Sequence, residues 1–202
     1  YKRIPDHSPY AEPMDTGIPE MIAAIEANPK ISVKLNCTIT KTSGAPGRFS
    51  ADITTESGAT STDNFGAIIM ASGFKPYDMS QLPELGAGKS ADVVDQMGLE
   101  KLAKAANGGA IKRPSDGKEI KKVVFVQCAG QRSDKEGHLN YCSGHCCSTS
   151  IKQSMYFKDQ NPDVDTVVIY TDLRMPGNGE DFYRSGQNKG VIFTKGKVSS
   201  VE

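Results

Sequence analysis

Lys122-Val123-Val124-Phe125-Val126-Gln127 is a short apolar run, and its place among the elements after it decides the fold. A run of this length, rich in β-branched and aromatic residues, reads as a strand of the buried type. After a polar loop, Ser143 to Asp159 reads as a helix, stopped near Asn161-Pro162. Thr166 to Tyr170 is a second apolar strand. Glu180 to Asn188 is a second helix with Gly190 just past its end, and Val191 to Phe193 is a third strand. Strand, helix, strand, helix, strand at this spacing is a βαβαβ unit built on a parallel sheet, an α/β fold.

Working outward, residues 79 to 120 are looser, with a helix from Leu99 to Ala106 closed by Asn107-Gly108-Gly109. Residues 1 to 17, rich in Pro, Asp and Ser, read as an irregular lead-in. Pro19 suits a first helical turn, and Glu20 to Ala27 reads as a short helix closed by Asn28-Pro29. Ile31, Val33, Leu35, Cys37 and Ile39 alternate as a strand does. Phe49 to Thr55 and Thr60 to Asn64 are set off by turns at Ser43-Gly44-Ala45-Pro46-Gly47 and Gly58, so the three form a small antiparallel meander. Phe65 to Met70 reads as a further apolar strand ending in Ala71-Ser72-Gly73. The expected division is residues 1–80, holding the meander, and residues 81–202, holding the βαβαβ unit.

The chain has 202 residues, 37% hydrophobic and 24% charged, with zero net charge and a pI near 7. That balance offers no electrostatic attraction to nucleic acid or an anionic membrane. The longest apolar runs are far too short to span a bilayer. Tyr1-Lys2-Arg3-Ile4-Pro5 carries no initiator Met and no signal segment, which suggests a piece of a longer, cytoplasmic chain. Four of the five cysteines crowd between residues 128 and 147, while Cys37 stands among apolar strand residues as a core thiol. Clustered thiols without a signal sequence point to metal or redox chemistry rather than a disulfide framework.

The spacing is Cys128, thirteen residues, Cys142, three residues, then Cys146-Cys147. Cys128 falls at the carboxyl end of the first strand, where open α/β sheets bind ligands. Cys142, Cys146 and Cys147 fall at the start of the following helix, whose N-terminus favours thiolates and anionic clusters. Cys146 and Cys147 would point about 100° apart in a regular helix. Both reach one centre only where the backbone is still unwinding, a freedom Gly144 supplies. A 4Fe–4S cluster held by the four thiolates is the favoured reading. Zinc, which prefers closely spaced pairs, and unligated or disulfide-forming cysteines stay open. The loop after Val126 lacks Gly-x-Gly-x-x-Gly, so the unit reads as a nucleotide-binding fold whose phosphate loop serves cluster ligands instead. Asp172, at the end of the second strand, is then a structural or turn residue. Arg132 either neutralises cluster charge or makes a surface ion pair, and His138 and His145 read as loop histidines.

These residues resemble a known family. Val123-Val124-Phe125-Val126-Gln127-Cys128-Ala129-Gly130-Gln131-Arg132 is similar to the "VxFxQCxGxR" signature of the flavin-containing A subunit of heterodisulfide reductase. Tyr141-Cys142-Ser143 through Cys146-Cys147 is similar to its "YCSxxCC". Asp172-Leu173-Arg174, Glu180-Asp181-Phe182-Tyr183 and Gly190-Val191-Ile192-Phe193 match further positions. Flavoproteins of quinone-interacting membrane-bound oxidoreductases share the pattern. The resemblance implies a Rossmann-like, thioredoxin-reductase-like fold with FAD and a 4Fe–4S cluster. It also implies electron transfer to partner iron–sulfur subunits, and possible oligomers or membrane association through a complex. Gly66 to Pro76 resembles the family's "aIIxATGxxP" segment, so Ala71, Ser72, Gly73, Phe74 and Pro76 are implied to approach FAD, with Ser72 where Thr is usual. On this reading residues 1–80 are the C-terminal part of an FAD domain, and the fragment alone is inactive. No residue stands out as acid, base or nucleophile, and an electron relay needs none. The rival reading is a structural zinc-binding or partner-docking domain without redox activity.

Overall fold

The computed structural model describes residues 2–202, so Tyr1 of the expected lead-in lies outside the described residues. The chain divides into two units: the segment up to Thr16 together with Pro76–Glu202, and Gly17–Lys75. The lead-in of the larger unit is partly ordered, because β1 (Lys2–Arg3) pairs antiparallel with β2 (Met14–Asp15).

The smaller unit opens with α1 (Ile18–Glu26), in whose first turn Pro19 sits as expected. Its meander consists of β3 (Cys37–Ala45), β4 (Arg48–Thr55) and β5 (Thr60–Phe65), paired antiparallel in the order β3-β4-β5. Two expected stretches of strand are not formed. Residues 31 to 35 are irregular despite their alternation, and β3 begins only at Cys37. Of the expected Phe65–Met70 strand, Phe65 ends β5 and residues 67 to 70 are irregular, as is the segment on to Phe74, with Ile69 89% and Phe74 78% exposed. A strand needs a neighbour to satisfy its backbone groups, and neither segment pairs with another strand among the described residues.

The larger unit continues with α2 (Gln96–Ala106), three residues longer at its start than its apolar pattern suggests. The Asp95 carboxylate caps it by accepting from the Gly98 N–H at 2.6 Å. Then come β6 (Lys122–Val126), α3 (Cys146–Gln160), β7 (Asp165–Tyr170), α4 (Gly179–Asn188) and β8 (Ile192–Lys195). The three strands form a parallel sheet in the order β6-β7-β8, with Val123 beside Thr166 and Val168 beside Phe193. This is the expected βαβαβ unit.

Two apolar clusters hold it. Phe125 and Val168 of the sheet pack with Leu99 of α2 and Tyr156 and Phe157 of α3; Ile151 and Met155 of α3 pack with Phe182 of α4. Between these contacts α3 is buried almost continuously from Ser150 to Phe157, including Ser150, Lys152, Gln153 and Ser154. Buried polar groups need partners, and α2 supplies many of them. Gln153 Nε2 donates to Glu100 Oε1 at 3.0 Å and to the Gln96 carbonyl at 2.8 Å, while Lys152 pairs with Glu100 at 2.7 Å.

Candidate metal centre

The centre begins where β6 ends. Gln127 extends the sheet through its N–H, which donates to the Ile169 carbonyl at 2.9 Å, and Cys128 then turns into the left-handed region at φ 57°. Gly130 at φ 72° and Arg132 at φ 53° continue this bent path. Left-handed non-glycine residues are uncommon and persist where surrounding contacts hold them. Here the returning loop does so: Leu139 N–H donates to the Gly130 carbonyl at 2.9 Å and Arg132 N–H to the Tyr141 carbonyl at 3.2 Å. The excursion through residues 133 to 141 thus brings the chain back to its starting point. Ser143 N–H then donates to Gln131 Oε1 at 3.2 Å. His138 serves this loop, its Nδ1 3.0 Å from Ser133 Oγ and its ring edge-on to Tyr77.

The helix starts later than its sequence suggests. Ser143 and Gly144 precede it, Gly144 is left-handed at φ 74°, and Cys146 and Cys147 are its first two residues. His145 stands at the N-cap without a side-chain cap bond. The first turn is fixed from α2, because Gln96 Nε2 donates to the Cys146 carbonyl and to Ser150 Oγ, each at 2.8 Å. Gln127 Nε2 donates to the same Ser150 hydroxyl, while its buried Oε1 has no partner among the described residues. Gln96 and Ser150 could not be found from the cysteine spacing; the only sequence signal is their place on facing helices. Gln127 is visible in sequence only as the neighbour of Cys128.

The four thiols are free. A chain of contacts joins two of them. Arg132 Nη1 donates to Cys128 Sγ at 3.9 Å, and Arg132 Nη2 donates to Asp172 Oδ2 at 2.7 Å. The Asp172 carbonyl accepts from the Cys147 thiol at 3.8 Å, and Cys146 is the residue before Cys147. The two neighbouring thiols are driven apart in acidity. The Cys146 thiol is brought down to about 6, chiefly by the adjacent Cys147 thiol, with Ser143 and the N–H groups of the helix start adding to the effect. The Cys147 thiol is pushed up by Cys146 and by burial. Cys142 stands on the loop, its sulfur accepting from the Gly144 N–H at 3.4 Å.

Four free thiols at a helix N-terminus, with a guanidinium beside one of them, have the donor chemistry of an iron–sulfur site. Among the described residues, no three or more His, Cys, Asp or Glu side chains stand close enough together to hold a metal ion. The donor set therefore fits such a cluster in kind and in place, while the sulfurs are not drawn to one point in this conformation. The implied flavin residues Ala71, Ser72, Gly73, Phe74 and Pro76 lie exposed in an irregular segment. Among the described residues no helix is long and apolar enough to cross a membrane.

No protein-family model matches the sequence. Individual proteins do. The chain is 40% identical over 139 residues to the A subunit of the ferredoxin/F(420)H(2)-dependent CoB-CoM heterodisulfide reductase of Methanosarcina acetivorans, a match covering 67% of this chain and 17% of the relative. It is 36% identical over 140 residues to the A subunit of the H(2):CoB-CoM heterodisulfide,ferredoxin reductase of Methanothermobacter marburgensis, covering 67% and 21%. The first of two iron–sulfur A subunits of the CoB–CoM heterodisulfide reductase of Methanopyrus kandleri is also 36% identical, over 143 residues, again 67% and 21%. The chain spans about a fifth of the length of the curated relatives it matches. By these identities over two thirds of its own residues, the chain belongs to the family of heterodisulfide reductase A subunits.

Proposed function

We propose that this chain is the cluster-bearing electron-transfer module of a larger, cytoplasmic flavin and iron–sulfur oxidoreductase of the heterodisulfide reductase type. Cys128, Cys142, Cys146 and Cys147 would hold a 4Fe–4S cluster, which stores and releases single electrons. Ala71, Ser72, Gly73, Phe74 and Pro76 would form part of an FAD site, residues 1–80 being a portion of the flavin domain and 81–202 the cluster domain. Electrons would pass between FAD and partner iron–sulfur subunits.

The observation that carries this reading is the contact chain from Cys128 through Arg132 and Asp172 to Cys147, the neighbour of Cys146 in sequence. It unites thiols nineteen positions apart in sequence at the carboxyl edge of a parallel sheet. The chain's own residues have definite tasks. Arg132 lowers the cost of negative charge at Cys128. The first turn of α3 presents N–H groups to the Cys146 sulfur. Gln96 holds that turn in place. Drawing the four sulfurs together would require movement of the loop that carries Cys128 and Cys142, which holds left-handed Gly130 and Gly144.

The test is anaerobic reconstitution with ferrous iron and sulfide, followed by iron and sulfide analysis and electron paramagnetic resonance of the reduced protein. About four irons per chain and a brown colour are expected, with strong loss in each single Cys→Ser variant of the four but not in Cys37→Ser. Stoichiometric zinc in colourless protein that resists iron would favour the zinc-binding alternative. For the flavin, weak or no FAD binding by residues 1–202 is expected; tight one-to-one binding would mean that the site needs no further segment.

A further inference from the structure

We infer that the ion pair between Arg132 and Asp172 sets the reduction potential of the cysteine centre, Arg132 raising it and Asp172 lowering it. The inference rests on the cluster reading above and adds the residues that tune it.

The geometry is specific. The Arg132 guanidinium lies between a thiol and a carboxylate, with Nη1 3.9 Å from Cys128 Sγ and Nη2 2.7 Å from Asp172 Oδ2. It is held there by its own backbone, left-handed at φ 53° and tied through its N–H to the Tyr141 carbonyl. Asp172, two residues past the end of β7, touches the centre twice. Its carboxylate meets Arg132, and its carbonyl accepts from the Cys147 thiol. Lys195 Nζ lies 3.9 Å from the other carboxylate oxygen. The pair thus reaches two of the four thiols from residues 40 positions apart.

Adding an electron to a thiolate-ligated cluster makes it one unit more negative. A fixed positive charge at contact distance favours that state, and a carboxylate opposes it. The Arg132 side chain is only 25% exposed, so its field is weakly screened, whereas Asp172 is 47% exposed and acts more weakly. A guanidinium keeps its charge throughout the accessible pH range, so the contribution of Arg132 does not vary with pH.

The experiment uses the reconstituted chain. Iron content and the paramagnetic signal first establish the cluster, and the midpoint potential is then read from that signal during a redox titration at low salt. Arg132→Gln is expected to shift the potential downward, Arg132→Lys to leave it near wild type, and Asp172→Asn to shift it upward by a smaller amount. The Asn variant keeps the carbonyl that meets Cys147, so it isolates the charge. An unchanged or raised potential in Arg132→Gln, or an unchanged or lowered one in Asp172→Asn, overturns the inference. Should Arg132→Gln fail to take up iron, Asp172→Asn decides alone, because it leaves the guanidinium in place. A wild-type chain that builds no cluster brings down the reading of the function, and this inference with it. A cluster whose potential ignores both charges brings down the inference alone.

Discussion

The Tyr77 ring lies against Gly130 so closely that a Cβ there would fall 2.3 Å from Tyr77 Cζ. The ring is held by its hydroxyl, which donates to the Gly137 carbonyl at 3.0 Å, so it cannot easily withdraw. Gly130 also sits at φ 72°. Gly130→Ala therefore meets a steric and a conformational penalty together, and it should cost roughly 1–3 kcal/mol in urea unfolding. Pairing it with Tyr77→Ala should recover that stability in part, since the second change removes the clash but not the backbone cost. Full restoration would show that the left-handed turn carries no cost of its own.

The ion pair of Lys152 with Glu100 is buried, the side chains 11% and 6% exposed. Lys152 also donates to the Lys2 carbonyl at 2.7 Å, and Tyr156 donates to Glu100 at 3.2 Å. Lys152→Met leaves a carboxylate buried without its cation, and should lose about 3–5 kcal/mol of stability. The double variant Lys152→Met with Glu100→Gln should recover most of that loss. Denaturant unfolding of both variants measures the difference; equal losses would mean that the uncompensated charge is not the cause. Burial and Glu100 raise the Tyr156 hydroxyl, so it should remain protonated and donating in mildly alkaline solution, when exposed tyrosines ionise.

Thiol reactivity should be ordered. In cluster-free protein at pH 7, Cys146 is mostly thiolate because its thiol is brought down to about 6, while Cys147 is buried and pushed the other way. Iodoacetamide labelling read by peptide mass spectrometry should mark Cys146 well before Cys147. Loading with iron and sulfide should protect all four proposed ligands and leave Cys37 reactive. Continued labelling of Cys142 in the loaded protein would remove it from the ligand set.

Gln96 reaches from α2 to the Cys146 carbonyl and Ser150. Gln96→Leu should cost only about 1–2 kcal/mol in unfolding, yet it should speed iron loss to a chelator several-fold, because the first turn of α3 is freed. Unchanged iron release would mean that Gln96 serves packing alone.

The βαβαβ unit is legible in the sequence because each element announces itself locally: Val123 to Val126 and Thr166 to Tyr170 are continuous apolar runs, and Pro162 and Gly190 punctuate the helices. Two kinds of feature are not. The alternation of Ile31, Val33 and Leu35 and the apolar run before Ala71 carry the local signal of a strand, but pairing depends on a neighbour that the pattern cannot reveal. The apolar pattern of α2 likewise begins at Leu99, while its start is fixed earlier by the Asp95 cap. At the centre itself, spacing makes the cysteines visible, and Arg132 reads equally as a cluster neighbour or an ion-pair partner. That its partner is Asp172 follows only from the parallel register of β6 and β7, which brings residues 40 apart to one sheet edge. Buried Ser150 and Gln153 look like surface residues in sequence, because their hydrogen-bond partners lie on another helix.

The near-complete burial of α3 from Ser150 to Phe157 has a consequence for assembly. A helix gripped on every side cannot turn to bring its first residues round to a metal, so Cys146 and Cys147 stay where the core puts them. Bringing the sulfurs together then falls to the loop that carries Cys128 and Cys142, which holds left-handed Gly130 and Gly144. The centre thus has a fixed side and an adjustable one: the core keeps two sulfurs still, and the loop must carry the other two to them. A Cys147→Ser chain should accordingly lose iron at least as completely as a Cys142→Ser chain.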